Sequence, residues 1–326
     1  MGGRTIRSVH VRRAKVVGPA STRDFTQAVR GAKFCSLSRR GKYLVFQLRQ
    51  VGRTEPLTLV GHLGMTGRMY LLPAKDRLPK HVAVVLNLGR ENFIYEDTRY
   101  FGRLTLDGGA LARLGPEPLG AEFTAKGFAK ALRRSRQAIK VRLLDQSLLA
   151  GVGNIYASEA LFRAGVAPTL PARRLTAAQV QRLWRAVRAV LREAIACGST
   201  VPLNYAGQGQ RDGLFYFGKA PGALDYYEER LRVYDRAGKP CRECGTAIKR
   251  RVQAARSTFY CPRCQRGMEI RRPKPENRTR SELIPSRFQA EPNCPSPGPL
   301  PIGWGEGVRR TGEGLVRALL AELISG

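Results

Sequence analysis

Apolar and polar positions alternate over short stretches in the first third of the chain and then change to helical spacing. KYLVFQLRQ (42–50), PLTLVGHLGM (56–65), GRMYLL (67–72), HVAVVLNL (81–88) and ENFIYED (91–97) are β-branched or aromatic runs bounded by Gly, Pro or charged turns. Each predicts a strand, and Gly-Arg-Glu-Asn at 89–92 predicts a hairpin turn. Strands this closely spaced predict an antiparallel sandwich or barrel. The character changes near Leu119, and residues 125–165 predict helices: LLDQSLLAG ends one at Gly151, GVG makes the turn, and NIYASEALFRAG starts the next. Thr176 and Gln179 form a capping box before a long helix, with Val180, Leu183, Trp184, Val187, Val190, Leu191, Ala194 and Ile195 on one apolar face and Gly198 as its stop. Trp184 on that face reads as core rather than as a base-stacking residue. Residues 199–230 are rich in Gly and Tyr without a period and predict a long loop. Eight of the twenty prolines fall in 273–301, which argues against a packed unit, and LVRALLAELI (315–324) has a helical pattern.

Charge changes the picture more than length does. The 326 residues suit two or three domains, but the formal net charge is +32, and residues 1–50 hold twelve Lys or Arg against one acid, Asp24. Such an excess repels itself unless a polyanion neutralises it, which points to DNA or RNA. An anionic membrane fits less well, because no long basic amphipathic helix with an apolar anchor face is evident. No apolar run approaches the roughly 18 residues of a membrane span. The opening MGGRTIRSVH lacks the apolar stretch of an export signal.

The cysteines add chemistry. Cys241, Cys244, Cys261 and Cys264 make two C-x2-C pairs sixteen residues apart. Four thiolates suit one tetrahedral Zn²⁺ and leave it no open position, so the metal is expected to be structural. Residues 241–272 carry nine Lys or Arg and two acids, the composition of a phosphate clamp. Cys35, Cys197 and Cys294 are left as free thiols in a reducing compartment, Cys197 reading as a small apolar residue closing its helix. At 151–162, GVGNIYASEALF has glycines that permit close approach, and Asn154 is positioned to cap the helix that follows. The free N–H groups of that helix start suit a DNA phosphate.

These segments resemble the formamidopyrimidine-DNA glycosylase and endonuclease VIII family of base-excision repair enzymes in order and spacing over about residues 4–266: RRGKYLVFQL, GHLGMTGRM, DTRYFGRL, LGPEPL, AIKVRLLDQSLLAGVGNIYASEALFRAG and the zinc segment ending RSTFYCPRCQ. GVGNIYASE together with that zinc segment is the most specific part. The resemblance implies an α+β multidomain fold: an N-terminal antiparallel β-sandwich, truncated at its start, over 1–115, a helix-two-turn-helix DNA-binding domain over 116–235 and a zinc finger over 236–266; composition predicts a disordered Pro-rich tail over 267–326. It implies a DNA glycosylase with AP lyase activity on oxidised purines such as 8-oxoguanine, one structural zinc, damaged double-stranded DNA as partner, a monomer, and a bacterial cytoplasmic, nucleoid-associated location. Asn154 and Arg256 are expected to hold phosphates, with Lys42 and His62 gripping from the sandwich side. Lys42 and Arg256 are also expected as proton donors. His81, Arg99, Arg136 and Lys140 match DNA-contacting positions, and Met65, Arg99 and Phe101 match the residues that fill the gap left by an extruded nucleotide. An apolar wedge there replaces lost stacking while a guanidinium satisfies the orphaned base. The Met-Arg-Phe set favours the formamidopyrimidine branch.

Three departures stand beside the resemblance. The family's Pro-Glu-Leu-Pro-Glu opening, whose proline amine is the nucleophile, has no counterpart: Met1-Gly2-Gly3-Arg4-Thr5-Ile6 aligns only at the strand after the catalytic helix. A start assigned too far downstream is the favoured explanation; the alternative is a catalytically impaired damaged-DNA-binding protein of the same fold. Thr98 and Tyr100 replace the proline and an arginine of an Asp-Pro-Arg-Arg-Phe-Gly segment, which bears on the fit to the opposite base. The stretch beginning GSTVPLNYAGQ is longer and more aromatic than the family's lesion-capping segment, which leaves the damaged base open.

Overall fold

A computed structural model describes residues 2–52, 54–197 and 230–266. The expected long loop (but for residue 230), the Gly198 helix stop, Cys294, the Pro-rich tail and the helix at 315–324 lie outside the described residues.

The chain begins with β1 (Ser8–Val11), α1 (Thr22–Val29), β2 (Lys33–Arg40), β3 (Tyr43–Arg49), β4 (Leu57–His62), β5 (Gly67–Pro73), β6 (Val82–Asn87), β7 (Glu91–Asp97) and β8 (Arg103–Thr105). They form two antiparallel four-stranded sheets, ordered β1-β6-β7-β5 and β2-β3-β4-β8. Phe34 and Phe46 of one sheet meet Phe93 of the other with ring centroids 5.6–6.2 Å apart, so the sheets stack face to face as a sandwich. All five expected strands form. The hairpin between β6 and β7 is closed by the Leu88 N–H donating to Glu91 O at 2.8 Å. β1, β2, β8 and α1 were not expected. β2 (KFCSLSRR) hides its strand character behind polar residues, since only Phe34 is fully buried and Leu37 partly. α1 is capped by Ser21, whose Oγ accepts from the Asp24 N–H at 3.0 Å.

The middle of the chain is helical: α2 (Gly109–Ala112), α3 (Ala125–Arg133), α4 (Ile139–Leu144), α5 (Asn154–Arg163) and α6 (Ala177–Cys197). LLDQSLLAG does not continue a helix to Gly151. α4 stops at Leu144 because the Asp145 carboxylate takes the N–H and hydroxyl of Ser147 at 2.8 and 2.7 Å, a local bond that competes with the helix. The capping box forms in both directions, Thr176 N–H to Gln179 Oε1 at 2.9 Å and Gln179 N–H to Thr176 Oγ1 at 3.2 Å. Trp184 packs against the helical core and donates Nε1–H to Phe123 O at 2.8 Å, in keeping with the core reading.

The last described segment is a two-stranded hairpin, β9 (Lys249–Gln253) and β10 (Arg256–Tyr260), turning through Ala254 and Ala255 at φ +46° and +56°. It is seated on α5, with Phe162 buried among Val233, Ile248 and Phe259. Glu159 of α5 is fully buried, and its carboxylate accepts the N–H groups of Arg232, Val233 and Tyr234, each at 2.9 Å. A buried acid satisfied this way fixes the path by which the chain enters the hairpin module.

Sandwich and helical domain touch through main chain. Gly41, at φ +56°, has a position for a Cβ only 3.2 Å from Gly151 N, and Gly151 is itself at φ +83°. A side chain at either place meets both a left-handed backbone and its neighbour across the seam. Beside it, Glu117 of the connecting segment accepts from Gly41 N–H at 2.6 Å, Arg40 Nη1 at 3.0 Å and Arg39 Nη1 at 3.1 Å. Burial raises the Glu117 pKa, but the Gly41 amide and the two arginines outweigh it and hold the carboxyl below its usual range.

Candidate nucleic-acid interface

Lys42 follows the Gly41 turn at the start of β3 and reaches across the seam: a Cβ added to Gly153 would lie 3.4 Å from its Nζ. Gly153 is the residue before α5, so the ammonium stands over the helix start. Burial, then the charge of Arg256, lower the Lys42 pKa. The side chain is nevertheless exposed to solvent, so the cation stays open to an anion. His62, at the end of β4, accepts the Gly64 N–H at Nδ1 at 3.1 Å and leans its ring on Tyr43, centroids 4.9 Å apart. With Nδ1 accepting, the neutral ring carries its proton on Nε2, a donor free to face an anion. Burial, then the charges of Lys42 and Arg103, lower the His62 pKa. These cations crowd one another, and an anion among them relieves the repulsion.

The opposite wall is α5 and the zinc hairpin. Asn154 is the first helical residue rather than the cap; Gly153 holds the cap position with no side chain to offer. The Asn154 Nδ2 donates instead to Ser257 O at 2.9 Å, while its Oδ1 is buried without a hydrogen-bond partner. That bond locks the helix start to the residue after Arg256, whose side chain is exposed at the hairpin tip. Lys140 corrects the sequence expectation. It is fully buried, and its Nζ donates to Ser257 O and Thr258 Oγ1, both at 2.9 Å. A group sealed between α4 and β10 is not a DNA contact. Burial lowers its pKa to about 8. Arg136, just before α4, is exposed on the surface.

On the sandwich side Met65 and Phe101 are 64% and 52% exposed, two of the four exposed large apolar side chains among the described residues. Arg99 lies between them, its guanidinium 4.7 Å over the Phe101 ring and its Nη1 3.5 Å from Met65 Sδ. Asp97, fully buried, organises both loops: its carboxylate accepts from Thr66 Oγ1 at 2.5 Å, Arg99 N–H at 3.1 Å and Gly102 N–H at 2.8 Å. Burial raises the Asp97 pKa, but the bonds from Thr66, Gly102, Arg99 and Tyr100 outweigh it and lower it overall. His81 joins this region through its backbone carbonyl, which accepts the Asp97 N–H at 3.0 Å.

The four paired cysteines converge, their sulfurs all within 4.8 Å of one another. The Cys241–Cys264, Cys244–Cys261 and Cys244–Cys264 separations are 3.9, 3.5 and 3.4 Å. The edge of a tetrahedron with Zn–S bonds of the usual length is about 3.8 Å, so the donor set fits one zinc ion held by sulfur alone. Asp97, Glu117 and Glu159 escaped sequence reading, although a signal existed. Acids are scarce in this chain, and these three lie inside the segments that carry the resemblance.

Three family models match the chain in order: the formamidopyrimidine-DNA glycosylase N-terminal domain over residues 1–104, the H2TH domain of the same glycosylase over 114–203, and a zinc finger found in FPG and IleRS over 238–267. The formamidopyrimidine-DNA glycosylase of Desulfitobacterium hafniense is 41% identical over 269 residues, covering 80% of this chain and 92% of the relative. That of Thermus thermophilus is 42% identical over 270 residues, covering 81% and 91%. Among solved structures, the Lactococcus lactis Fpg in complex with DNA containing an abasic site superposes with a TM-score of 0.70 at 29% identity, covering 82% of this chain and 94% of that one. The same enzyme bound to DNA containing N7-benzyl-Fapy-dG gives a TM-score of 0.70 at 28% identity.

Proposed function

The chain belongs to the formamidopyrimidine-DNA glycosylase family, and on that premise we propose that Lys42, His62, Asn154 and Arg256 grip the phosphates around a damaged nucleotide while Met65, Arg99 and Phe101 fill the space it leaves. The protein is a base-excision-repair DNA glycosylase with AP lyase activity that acts on oxidised purines in double-stranded DNA. Its one zinc is structural: Cys241, Cys244, Cys261 and Cys264 hold it, and it supplies a rigid base for the hairpin rather than a reactive position.

The observation that carries the assignment of residues is the approach of the Lys42 ammonium to Gly153, beside the charge of Arg256. Cations from the sandwich and the zinc hairpin thus converge on the first turn of α5, where the helix dipole favours an anion. On this reading Lys42 and Arg256 serve as proton donors in strand cleavage. Arg99 meets the base left without a partner, and Met65 and Phe101 take the place of lost stacking. His81 and Arg136 add outer contacts. The working units are a sandwich over 1–115, a helical DNA-binding domain over 116–235 and a zinc finger over 236–266. The protein acts as a monomer on chromosomal DNA in the bacterial cytoplasm. No helix among the described residues is long and apolar enough to cross a membrane.

The test is binding to a duplex bearing a stable abasic-site analogue. Arg256→Ala and Asn154→Ala are each expected to weaken it by about 1–3 kcal/mol, and Arg256→Ala to reduce the salt slope by about one. Unchanged affinity in both variants contradicts the cleft assignment.

A further inference from the structure

Tyr100 stands between the two exposed residues of the wedge loop, yet its backbone is in the left-handed region at φ +53°, a conformation a bulky side chain adopts only when its surroundings hold it there. The surroundings are visible. The ring is partly buried against the sandwich core, and the Arg13 guanidinium lies 4.8 Å over it. Arg13 is itself rooted, its own N–H donating to Ala83 O of β6 at 3.2 Å. On either side the loop is tied down by Asp97, through Arg99 N–H and Gly102 N–H. Tyr100 thus faces inward at the bend of the loop while its neighbours Arg99 and Phe101 stand exposed.

We propose that Tyr100, clamped under Arg13, is the positioning residue of the wedge: its anchored ring holds the Asp97–Gly102 loop in the reversed conformation that stacks Arg99 on Phe101 before DNA arrives, and so sets the rate of nucleotide extrusion. The inference rests on the reading of Met65, Arg99 and Phe101 as the residues that fill the gap. Preassembly matters because extrusion and filling are one concerted exchange, and a loop that must first be ordered enters that exchange late.

The experiment follows extrusion by the fluorescence of 2-aminopurine placed beside 8-oxoguanine in a duplex, under single-turnover mixing with the full chain. Tyr100→Gly keeps the left-handed backbone at no steric cost and removes the ring. It is expected to slow extrusion about fivefold, the change that a lost anchor of cation–π strength implies. Arg13→Ala, at an exposed position that does not threaten folding, slows it less, and Tyr100→Phe, which keeps the ring, retains most of the rate. Affinity for undamaged duplex serves as the check on folding and general grip. Wild-type extrusion in both Tyr100→Gly and Arg13→Ala, with Phe101→Ala slow, overturns the anchor and leaves the wedge standing. Wild-type extrusion in Phe101→Ala as well removes the wedge reading and the anchor with it.

Discussion

The Lys140 ammonium donates to the carbonyl oxygen of Ser257 at 2.9 Å, across the junction of the helical domain and the zinc hairpin. Asn154 donates to the same oxygen, so α4 and the start of α5 both fasten the residue next to Arg256. The aim of Arg256 is therefore set from behind, by the buried Lys140 and by Asn154 at the helix start.

Lys140 makes this junction sensitive to pH. Its pKa falls from 10.5 to about 8 on folding because burial disfavours the charge. Between those values the unfolded chain binds the extra proton, so this residue's contribution to stability rises with pH across that window and is flat below it. Denaturant titrations of the wild type and Lys140→Met are expected to show a difference that shifts by about 2–3 kcal/mol between pH 8 and pH 10.5. A pH-independent difference excludes a depressed lysine.

Glu117 tests the hold on the Lys42 turn. Glu117→Gln keeps an acceptor for the Gly41 amide but loses the charge facing Arg39 and Arg40, and Glu117→Ala loses both. The alanine variant is expected to cost about 1–3 kcal/mol and the glutamine less. Since the folded carboxyl titrates below its usual value, its contribution is complete above pH 4.5 and fades as the pH falls through the folded value. Melting curves that show the wild-type advantage over Glu117→Gln persisting undiminished in strong acid contradict this.

Zinc is expected at one ion per chain. Cys244→Ser should weaken it about tenfold or more, given that even outer partners of a metal ligand are worth that much. Removal by a chelator should raise amide exchange over 249–260, because ligation is the main source of order in so small a hairpin. Full metal content in Cys244→Ser, measured by atomic absorption, contradicts the four-thiolate site.

Much of this was legible in the sequence because the relevant signals are local. Alternating runs gave five strands, Thr176 and Gln179 gave a helix start, and paired cysteines gave a metal site whose sulfurs do converge. The zinc hairpin was harder. Its turn is Ala254-Ala255, where two left-handed residues usually call for Asn-Gly, so nothing in the letters announces a turn. Lys140 misled for a different reason. A lysine in a basic chain reads as solvated, and only tertiary packing shows it sealed under β10. Asn154 was placed correctly at the helix start but one position off, so it reaches sideways to Ser257 instead of capping. The tethering acids Asp97 and Glu159 bond chiefly to main-chain amides, and Glu117 to one amide and two arginines far away in the chain, partners that a string of side chains does not display.

The facing glycines of the seam separate two properties that are easily confused in a charged binding protein. Aperture is set where Gly41 and Gly151 abut, peptide against peptide, beside part-buried pairs of Glu117 with Arg39 and Arg40 that salt screens less than exposed charges. Tightness of hold is set by ammonium and guanidinium groups that counterions compete with. Raising ionic strength should thus make the jaws let go sooner without making them gape, and a mutation that widens them must come from the hinge rather than from the teeth.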